Sequence, residues 1–360
     1  MKKRNKLITT PHTKRVERIP VEDILSNSLG KIYGQRFFKY RKDFLNTLEA
    51  KNNKSYPDFP ITVLLELQNR CNLECIMCHE KLREGPKQTI SKNAINKLMI
   101  EFKEFELSAL MLGNADEPLL YKDFMQVLIQ GKEAGVMDTF LFTNGTLLTQ
   151  KMCNELVENQ ISRIMVSVDA ALPETYDRIR LRKNNNIINE VNRLSNVESN
   201  IHMLIETKRR NNSVLPLIRV SFVVQEQNID EIDLFIEKWK DVVDFIDFQA
   251  HYDYENIDKL AMLNEKERWQ RGKANREEKL YCYQPRNILS IWHNGNVSPC
   301  CSLNGVNLVV GNIHEMSLKE IWDSERMNEI RQQQRSGELN IVCHTCFKTR
   351  DFEGFARVKQ

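Results

Sequence analysis

No stretch of this 360-residue chain approaches 18 consecutive apolar residues, and Met1 is not followed by an apolar segment. The sequence therefore lacks the pattern of a membrane-spanning helix and that of a secretory signal. Its net charge of +3 is too small to indicate a nucleic-acid partner, and internal repeats and low-complexity segments are missing. These absences predict a cytoplasmic protein that binds neither nucleic acid nor membrane.

The composition is that of an ordinary globular protein, with 41% hydrophobic and 28% charged residues. The length suits one large domain with a smaller one, or a single elaborated barrel. The first 18 residues hold seven Lys or Arg and one acidic residue, Glu17. We interpret residues 1–58 as a basic, solvated tail followed by a charged helical extension.

Apolar runs alternate with amphipathic stretches between residues 59 and 252. The runs predict strands and the intervening stretches predict helices, as in a parallel sheet built from βαβ units. Six repeats fall short of the eight of a closed barrel, so we predict an α/β fold with a partial (β/α)6 TIM-like barrel. The predicted strands are Thr62–Gln68, Ala109–Leu112, Thr139–Phe142, Arg163–Val168, Leu217–Val224 and Phe245–Gln249.

The pattern changes after residue 252. Residues 253–280 are highly charged and predict a helical connector. In residues 281–360, Asn294-Gly295 lies between two apolar runs, which is a strong hairpin signal. Ser317, with Glu320 three residues later, marks the start of a helix. These features predict a small C-terminal α+β domain.

Nine cysteines in a reducing compartment favour metal ligation, catalysis or packing over disulfides. Cys153 lies alone on a predicted helix, and we interpret it as a buried apolar residue. The others are clustered, three within eight residues and five within the last 79, which indicates ligation. They are Cys71, Cys75, Cys78, Cys282, Cys300, Cys301, Cys343 and Cys346.

The first cluster, Cys71, Cys75 and Cys78, follows the first predicted strand. In an open parallel sheet, chemistry takes place at the carboxyl ends of the strands. Three thiolates can hold three irons of a [4Fe–4S] cluster and leave the fourth iron open to another ligand. A zinc site with His79 as its fourth ligand is the alternative.

The spacing C-x3-C-x2-C after the first strand resembles that of radical S-adenosylmethionine (SAM) enzymes. Further motifs at successive strand ends strengthen the resemblance. The second strand ends in a segment similar to the family's G-G-E-P motif, with Ala115-Asp116 where two glycines are common. The third strand ends in T-N-G-T-L-L, the fourth ends in V-S-V-D, and a segment similar to Y-D-x-I-R follows. The matching positions are Gly113, Asn114, Ala115, Asp116, Glu117, Pro118, Asn144, Ser167, Asp169 and Arg180.

By this resemblance, residues 113–118 and Asn144 bind SAM, with the methionine amino group at the 113–118 loop. Ser167 and Asp169 would face the ribose of SAM, and Arg180 its carboxylate. The resemblance also implies reductive cleavage of SAM to a 5′-deoxyadenosyl radical, which abstracts hydrogen from a substrate C–H bond. A flavodoxin- or ferredoxin-type electron donor is the implied partner.

The second cluster, Cys282, Cys300, Cys343 and Cys346, can fill every iron of an auxiliary [4Fe–4S] cluster. A zinc site with four cysteine ligands has similar requirements and stays open on spacing alone. The region resembles the SPASM extension of radical SAM enzymes, in its shorter form called twitch. No cysteine follows Cys346, so we expect one auxiliary cluster, with a role in electron transfer and structural support.

Cys301 neighbours a predicted ligand. Packing beside the cluster, replacing Cys300 as the ligand, and donating a hydrogen atom to a substrate radical are its three possible roles. Relatives with one auxiliary cluster include dehydrogenases and epimerases of sugars and aminocyclitols, so we expect a small-molecule substrate of that type. The alternatives are a peptide-modifying enzyme that crosslinks or epimerises a residue, and a zinc-stabilised binding protein without catalysis.

Overall fold

A computed structural model describes residues 6–9, 13–18, 20–49, 56–78, 86–181, 193–251, 262–270 and 282–348. Within these ranges, eleven strands form one sheet. The strands are β1 (Lys6–Thr9), β2 (Thr13–Glu17), β3 (Thr62–Leu65), β4 (Ala109–Leu112), β5 (Asp138–Thr143), β6 (Arg163–Ser167), β7 (Leu217–Val224), β8 (Phe245–Ala250), β9 (Ile288–Ile291), β10 (Asn296–Ser298) and β11 (Gly311–Asn312).

Twelve α-helices in the described ranges flank and connect the strands of this sheet. The described helices are α1 (Val21–Tyr33), α2 (Gln35–Glu49), α3 (Lys92–Glu104), α4 (Phe124–Glu133), α5 (Gln150–Glu158), α6 (Pro173–Ile179), α7 (Arg193–Arg210), α8 (Ile232–Trp239), α9 (Glu265–Trp269), α10 (Leu318–Asp323), α11 (Glu325–Ser336) and α12 (Ile341–Lys348). No helix in the described ranges is both long and apolar enough to cross a membrane.

Strands β3 to β8 lie side by side in chain order, and each pairs in parallel with the next. Helices α3 to α8 lie in the five connections between these six strands, with α6 and α7 both between β6 and β7. β8 pairs with β7 and β2, and β3 pairs with β4 and β9, so the barrel stays open. The predicted partial barrel is confirmed, and it places the six carboxyl ends on one rim.

The interpretation of the first residues as a solvated tail is wrong for the described part of that segment. β1 and β2 form an antiparallel hairpin, and β2 pairs antiparallel with β8. The basic residues partly explain the docking, because Arg15 lies opposite Asp247 in this register. Arg15 Nε donates to the buried Asp247 carboxylate at 2.6 Å, and Arg219 Nη1 donates to the same carboxylate at 2.6 Å.

Replacing Asp247 by Asn is expected to destabilise the protein by about 3–5 kcal/mol, because it leaves the buried guanidinium of Arg219 and the partly exposed one of Arg15 without their shared carboxylate. Chemical unfolding followed by circular dichroism measures the change. Asp241→Asn, at an exposed position just before the same strand, is the matched control and should change stability by less than about 0.5 kcal/mol. Equal stabilities of the two variants would contradict this account of the hairpin.

Helices α1 and α2 close the amino end of the barrel. Their buried side chains, including Leu25, Leu29 and Phe37, form a core cluster with Phe140 and Leu217, which lie near the amino ends of their strands. Within the same region, the hydroxyl of Tyr40 donates to the first residue of β5, Asp138, at 2.9 Å. The N-terminal helices therefore plug the end opposite to the rim. The predicted helical extension consists of two helices, because Gly34 takes a positive φ of 55° between them.

The C-terminal region continues the same sheet. β9 pairs in parallel with β3, while β10 and β11 follow as antiparallel strands. The predicted hairpin is present, with Gly295 at its turn in a left-handed conformation (φ 86°). The helix predicted to start at Ser317 is α10, and it ends before Ser324, whose hydroxyl caps the next helix, α11. Of the predicted connector, only residues 262–270 are described.

Candidate active site

The loop after β3 carries the first three cysteines. Its backbone is held against the end of α6, because Glu74 N–H donates to Leu181 O at 2.7 Å and Ile76 N–H donates to Ile179 O at 3.0 Å. Cys71, Cys75 and Cys78 therefore lie on a fixed loop at the rim. The fourth ligand proposed for a zinc site, His79, lies outside the described residues.

Burial keeps the thiols of Cys71 and Cys75 protonated without a metal. It raises the pKa of Cys71 to about 12, although the N–H of Leu73 donates to its sulfur at 3.4 Å and opposes the rise. Burial also raises the pKa of Cys75, against the effect of Arg180. The charges of Cys75 and Cys78 act on Cys71, so the three sulfurs are neighbours. Positive iron ions would compensate three thiolates held together in this way.

The loop after β4 places Glu117 at the rim, between the loops after β3 and β5. Its carboxylate accepts hydrogen bonds from Asn144 N–H at 2.7 Å, the Thr143 hydroxyl at 2.8 Å and Leu119 N–H at 3.2 Å. Gly113 has a φ of 95°, and a Cβ there would lie 2.8 Å from Phe142 O, so the turn requires glycine.

The other residues of this loop support its shape. Asp116 accepts a hydrogen bond from Asn114 N–H at 2.9 Å, and so it stabilises the turn from within. Ala115 is buried, and Pro118 begins a short 3-10 turn. The two positions that differ from the usual glycines are therefore accommodated by packing and by a local hydrogen bond.

The loop after β5 reaches the cysteine loop directly. Asn144 Nδ2 donates to Asn72 at 2.8 Å and lies 3.8 Å from Cys71 Sγ. Asn72 in turn donates to the Thr146 hydroxyl at 2.9 Å. Asn144 therefore links Glu117 to the first cysteine, because its backbone N–H donates to Glu117 and its side chain lies against Cys71.

At the end of β6, Asp169 and Arg180 form a buried ion pair. Asp169 has a φ of 64°, and its second carboxylate oxygen accepts from Val223 N–H at 2.8 Å. Arg180 Nη1 lies 3.6 Å from Cys75 Sγ. Ser167 accepts from the Ser221 hydroxyl at 3.4 Å. Arg180 is thus joined to the cysteine loop, and contact of Ser167, Asp169 and Arg180 with SAM stays a prediction.

Three buried donors of this region have no hydrogen-bond partner within the described structure: Asn114 Nδ2, Arg180 Nε and Tyr176 Oη. Unpaired buried donors cost free energy unless a ligand or water satisfies them. Tyr176 is close enough to Cys75 for the thiolate charge to raise its pKa, after the larger effect of burial. The donors and the thiols together fit a cluster with a polar ligand such as SAM.

The second set of cysteines also converges. Burial raises the pKa of Cys300 far above its usual value, and the charges of the neighbouring thiols raise it further. Those neighbours are Cys282, Cys346, Cys343 and Cys301. Cys343 and Cys346 lie three residues apart on α12, which places them on one helix face.

The packing around Cys300 is close. A Cβ at Gly305 would lie 2.4 Å from Cys300 Sγ, and Ser302 Oγ lies 3.2 Å from Cys346 Sγ. Among the described residues, no three or more His, Cys, Asp or Glu side chains are grouped so as to hold one metal ion. Thiols that lie near one another without converging on one point fit a [4Fe–4S] cluster better than a single metal ion. Each iron of such a cluster binds its own thiolate.

The auxiliary thiols lie on the side of the amino end of β9. Cys282 precedes β9, and Cys300 follows β10, which runs antiparallel to β9. Cys301 is beside them, and its backbone N–H and thiol both face Gln284 Oε1, at 3.0 and 3.4 Å. Its role as a hydrogen-atom donor stays a prediction.

At the other end of β9, a contact joins the C-terminal region to the rim, and the sequence interpretation missed it. Glu66 is completely buried just after β3, and it accepts the His293 N–H at 3.2 Å. The ring nitrogen Nδ1 of His293 lies 2.8 Å from the same carboxylate oxygen. The one available signal was an acidic residue inside an apolar strand pattern, at Glu66.

Glu117→Gln should change how stability depends on pH. Burial raises the pKa of Glu117 to about 7, above its ordinary value of 4.5. A raised carboxyl pKa stabilises the folded state below the ordinary value, and that stability is lost as pH rises through the folded value. Between pH 5.5 and 8.5, the wild type should therefore lose about 2 kcal/mol relative to Glu117→Gln.

Urea unfolding of the protein without iron or SAM measures this difference. Glu133→Gln, at an exposed position on α4, is the matched control and should show a constant difference from the wild type. A pH-independent difference for Glu117→Gln as well would contradict the raised pKa.

Comparisons with known proteins agree with this geometry. Residues 65–261, more than half of the chain, match the model of the Radical SAM superfamily. Residues 282–347 match the model of SPASM, an iron–sulfur cluster-binding domain. The two matches contain the first and second sets of cysteines, respectively.

Individual relatives are distant. A probable GTP 3′,8-cyclase of Methanococcus maripaludis is 24% identical over 208 residues, which cover 56% of this chain and 64% of that protein. The structure of native anSMEcpe with bound AdoMet aligns with a TM-score of 0.53 and 15% identity, covering 82% of this chain and 98% of that one. Streptococcus suis SuiB bound to precursor peptide SuiA aligns with a TM-score of 0.51 and 14% identity, covering 80% and 69%. At these identities, the structural matches establish the fold alone.

Proposed function

The chain belongs to the radical SAM superfamily and carries a SPASM iron–sulfur domain, and from this premise we propose that it oxidises a small alcohol of the sugar or aminocyclitol type. The family's cofactors are a SAM-binding [4Fe–4S] cluster, SAM and an auxiliary cluster. When bound, the SAM-binding cluster and SAM would supply the radical chemistry that removes a hydrogen atom from the substrate, and the auxiliary cluster would supply an electron acceptor. The protein supplies ligands, orientation and a proton acceptor.

In this proposal, Cys71, Cys75 and Cys78 hold the SAM-binding cluster. The loop of residues 113–118, Asn144, Ser167, Asp169 and Arg180 orient SAM. The network described above supports this assignment, because Glu117, Asn144 and Cys71 are linked by successive hydrogen bonds. Such a network fixes the loops before the ligand arrives, which is how a site positions its reacting groups.

Cys282, Cys300, Cys343 and Cys346 hold the auxiliary cluster. Four protein ligands leave no iron open to substrate, so the residues around it serve electron transfer and structure. The position of these thiols toward the amino end of β9, away from the Glu66–His293 contact, supports this role.

The observation that carries the alcohol assignment is the Glu66–His293 pair. Oxidation of a carbinol to a carbonyl removes one hydrogen atom, one proton and one electron. The hydrogen atom leaves from carbon. The electron is accepted by an iron–sulfur cluster. Histidine is the side chain best suited to accept the hydroxyl proton near neutral pH. In this proposal, Glu66 holds the imidazole of His293 through Nδ1, and Nε2 accepts the proton of the substrate hydroxyl.

The test uses sugars and aminocyclitols that carry deuterium at a carbinol carbon. We expect deuterium in 5′-deoxyadenosine and a carbonyl product. His293→Gln should keep its iron and its substrate-independent SAM cleavage, and it should lose carbonyl formation by about 100-fold. His314→Gln, at an exposed position in the same domain, is the matched control. Equal activities of the two variants would contradict the role of His293.

Peptide modification, by crosslinking or by epimerising a residue, is the second candidate. Streptococcus suis SuiB has a structure with a bound precursor peptide, and Cys301 is the candidate hydrogen donor for an epimerisation. Deuterium transfer from a peptide α-carbon, with none from any carbinol, would favour this function over the first.

A further inference from the structure

Helices α1 and α2 expose large apolar side chains although they plug the barrel with their opposite faces. Phe38 and Leu45 on α2 are 47% and 50% exposed, and Leu48 and Ile32 are exposed as well. Phe38, Lys42 and Leu45 follow the spacing of one helical stripe. Grouped exposed apolar residues of this kind mark interaction surfaces, whereas single ones do not.

This surface is basic. Helix α2 contains four Lys or Arg and two acidic residues, Asp43 and Glu49, among its 15 residues, whereas the whole chain has a net charge of only +3. On α2, the side chain of Lys39 is 78% exposed and pairs with Asp43 at 2.7 Å, and Lys42 is exposed. Positive charge around an apolar stripe complements an acidic protein surface, and it accelerates and orients the encounter.

The same helix contacts the auxiliary site. The ring of Phe44 packs edge-to-face on the ring of Tyr283, with centroids 6.4 Å apart. Tyr283 directly follows Cys282, the first auxiliary thiol. The thiols lie on the side of the amino end of β9, and α2 covers the amino end of the barrel. The α2 face therefore lies beside the auxiliary site and away from the rim.

We infer that the α2 face, formed by Phe38, Lys39, Lys42, Leu45 and Leu48, docks a small acidic electron-carrier protein. The carrier takes one electron from the reduced auxiliary cluster, so the cluster is oxidised and the carrier is reduced by one electron. The inference rests on the proposed function, which delivers one electron per substrate to this cluster. It adds the surface through which that electron leaves.

The experiment mixes dithionite-reduced holoenzyme, freed of dithionite, with an oxidised flavodoxin of net negative charge. Stopped-flow absorbance follows formation of the flavodoxin semiquinone. For the wild type, the rate should fall steeply with salt. Lys42→Glu and Leu45→Ser should each lower the low-salt rate about tenfold. Lys97→Glu, the same charge change on exposed α3 surface, is the matched control and should stay within about twofold.

Reduction of every variant by dithionite itself should be unchanged, because that small reductant needs no docking surface. Equal flavodoxin rates for Lys42→Glu, Leu45→Ser and Lys97→Glu would overturn the inference. So would binding of the α2 face to anionic lipid vesicles without any effect of these variants on flavodoxin. If dithionite reduces no auxiliary cluster in the wild-type protein, the inference and the proposed function both fail. If the cluster is reduced normally and the flavodoxin rates are equal, only the docking inference fails.

Discussion

Replacing Cys71, Cys75 and Cys78 together by alanine is expected to remove about four of the iron atoms per chain and to abolish 5′-deoxyadenosine formation. The three sulfurs lie on one loop that is held to α6, and no other cysteine is within that loop. The auxiliary thiols are carried by separate elements, so about four irons should remain. Iron analysis and chromatography of the SAM cleavage products measure both effects.

Cys153→Ala is the control for cysteine replacement in the same barrel. Cys153 is completely buried on α5, as the sequence analysis predicted, and it lies among apolar side chains. This variant should keep all its iron and its SAM cleavage, at a cost in stability of about 1–2 kcal/mol for the lost packing. Full iron content in the triple variant would contradict the assignment of the first cluster.

Replacing Cys300 and Cys343 by alanine is expected to have the complementary effect. Iron should fall by about four per chain, while substrate-independent SAM cleavage should persist. Product formation from an alcohol should be lost, because the electron has no acceptor. The unfolding temperature should also drop by several degrees, because the four ligands connect the β9–β10 hairpin to α12 and metal binding contributes to folding.

Cys301→Ala tests which of the adjacent cysteines is the ligand. Cys301 faces Gln284, whereas Cys300 is surrounded by the other auxiliary thiols. We expect full iron content in Cys301→Ala and a loss of iron in the Cys300 and Cys343 double variant. Loss of SAM cleavage in that double variant, with the first cluster intact, would contradict the independence of the two sites.

The parallel core of the fold could be predicted from local sequence. Strands β4 and β7 have the predicted bounds, because Ala109–Leu112 and Leu217–Val224 are short apolar runs between polar segments. The cysteine loop and the 113–118 loop could be predicted too, since each depends on residues close together in the sequence. The Glu117 carboxylate is buried, and the hydrogen bonds that it accepts come mostly from residues near it in the sequence or on the next strand.

Other features depend on contacts between distant residues, and local pattern did not reveal them. β2 is a strand because Arg15 meets Asp247, 232 residues later. Glu66 meets His293, 227 residues later, only because β9 adds to the sheet beside β3. A basic tail and a charged helical stretch gave no sign that α1 and α2 would plug the barrel, since that role depends on the shape of the opening they fill.

The most direct test of the central claim is the iron, sulfide and zinc content of anaerobically reconstituted holoenzyme, measured together with low-temperature EPR after dithionite reduction. The account predicts about eight iron and eight sulfide per chain without zinc. It also predicts two cluster signals, of which SAM alters one. About four iron with one zinc would contradict the auxiliary cluster, and protein without iron would contradict the whole account.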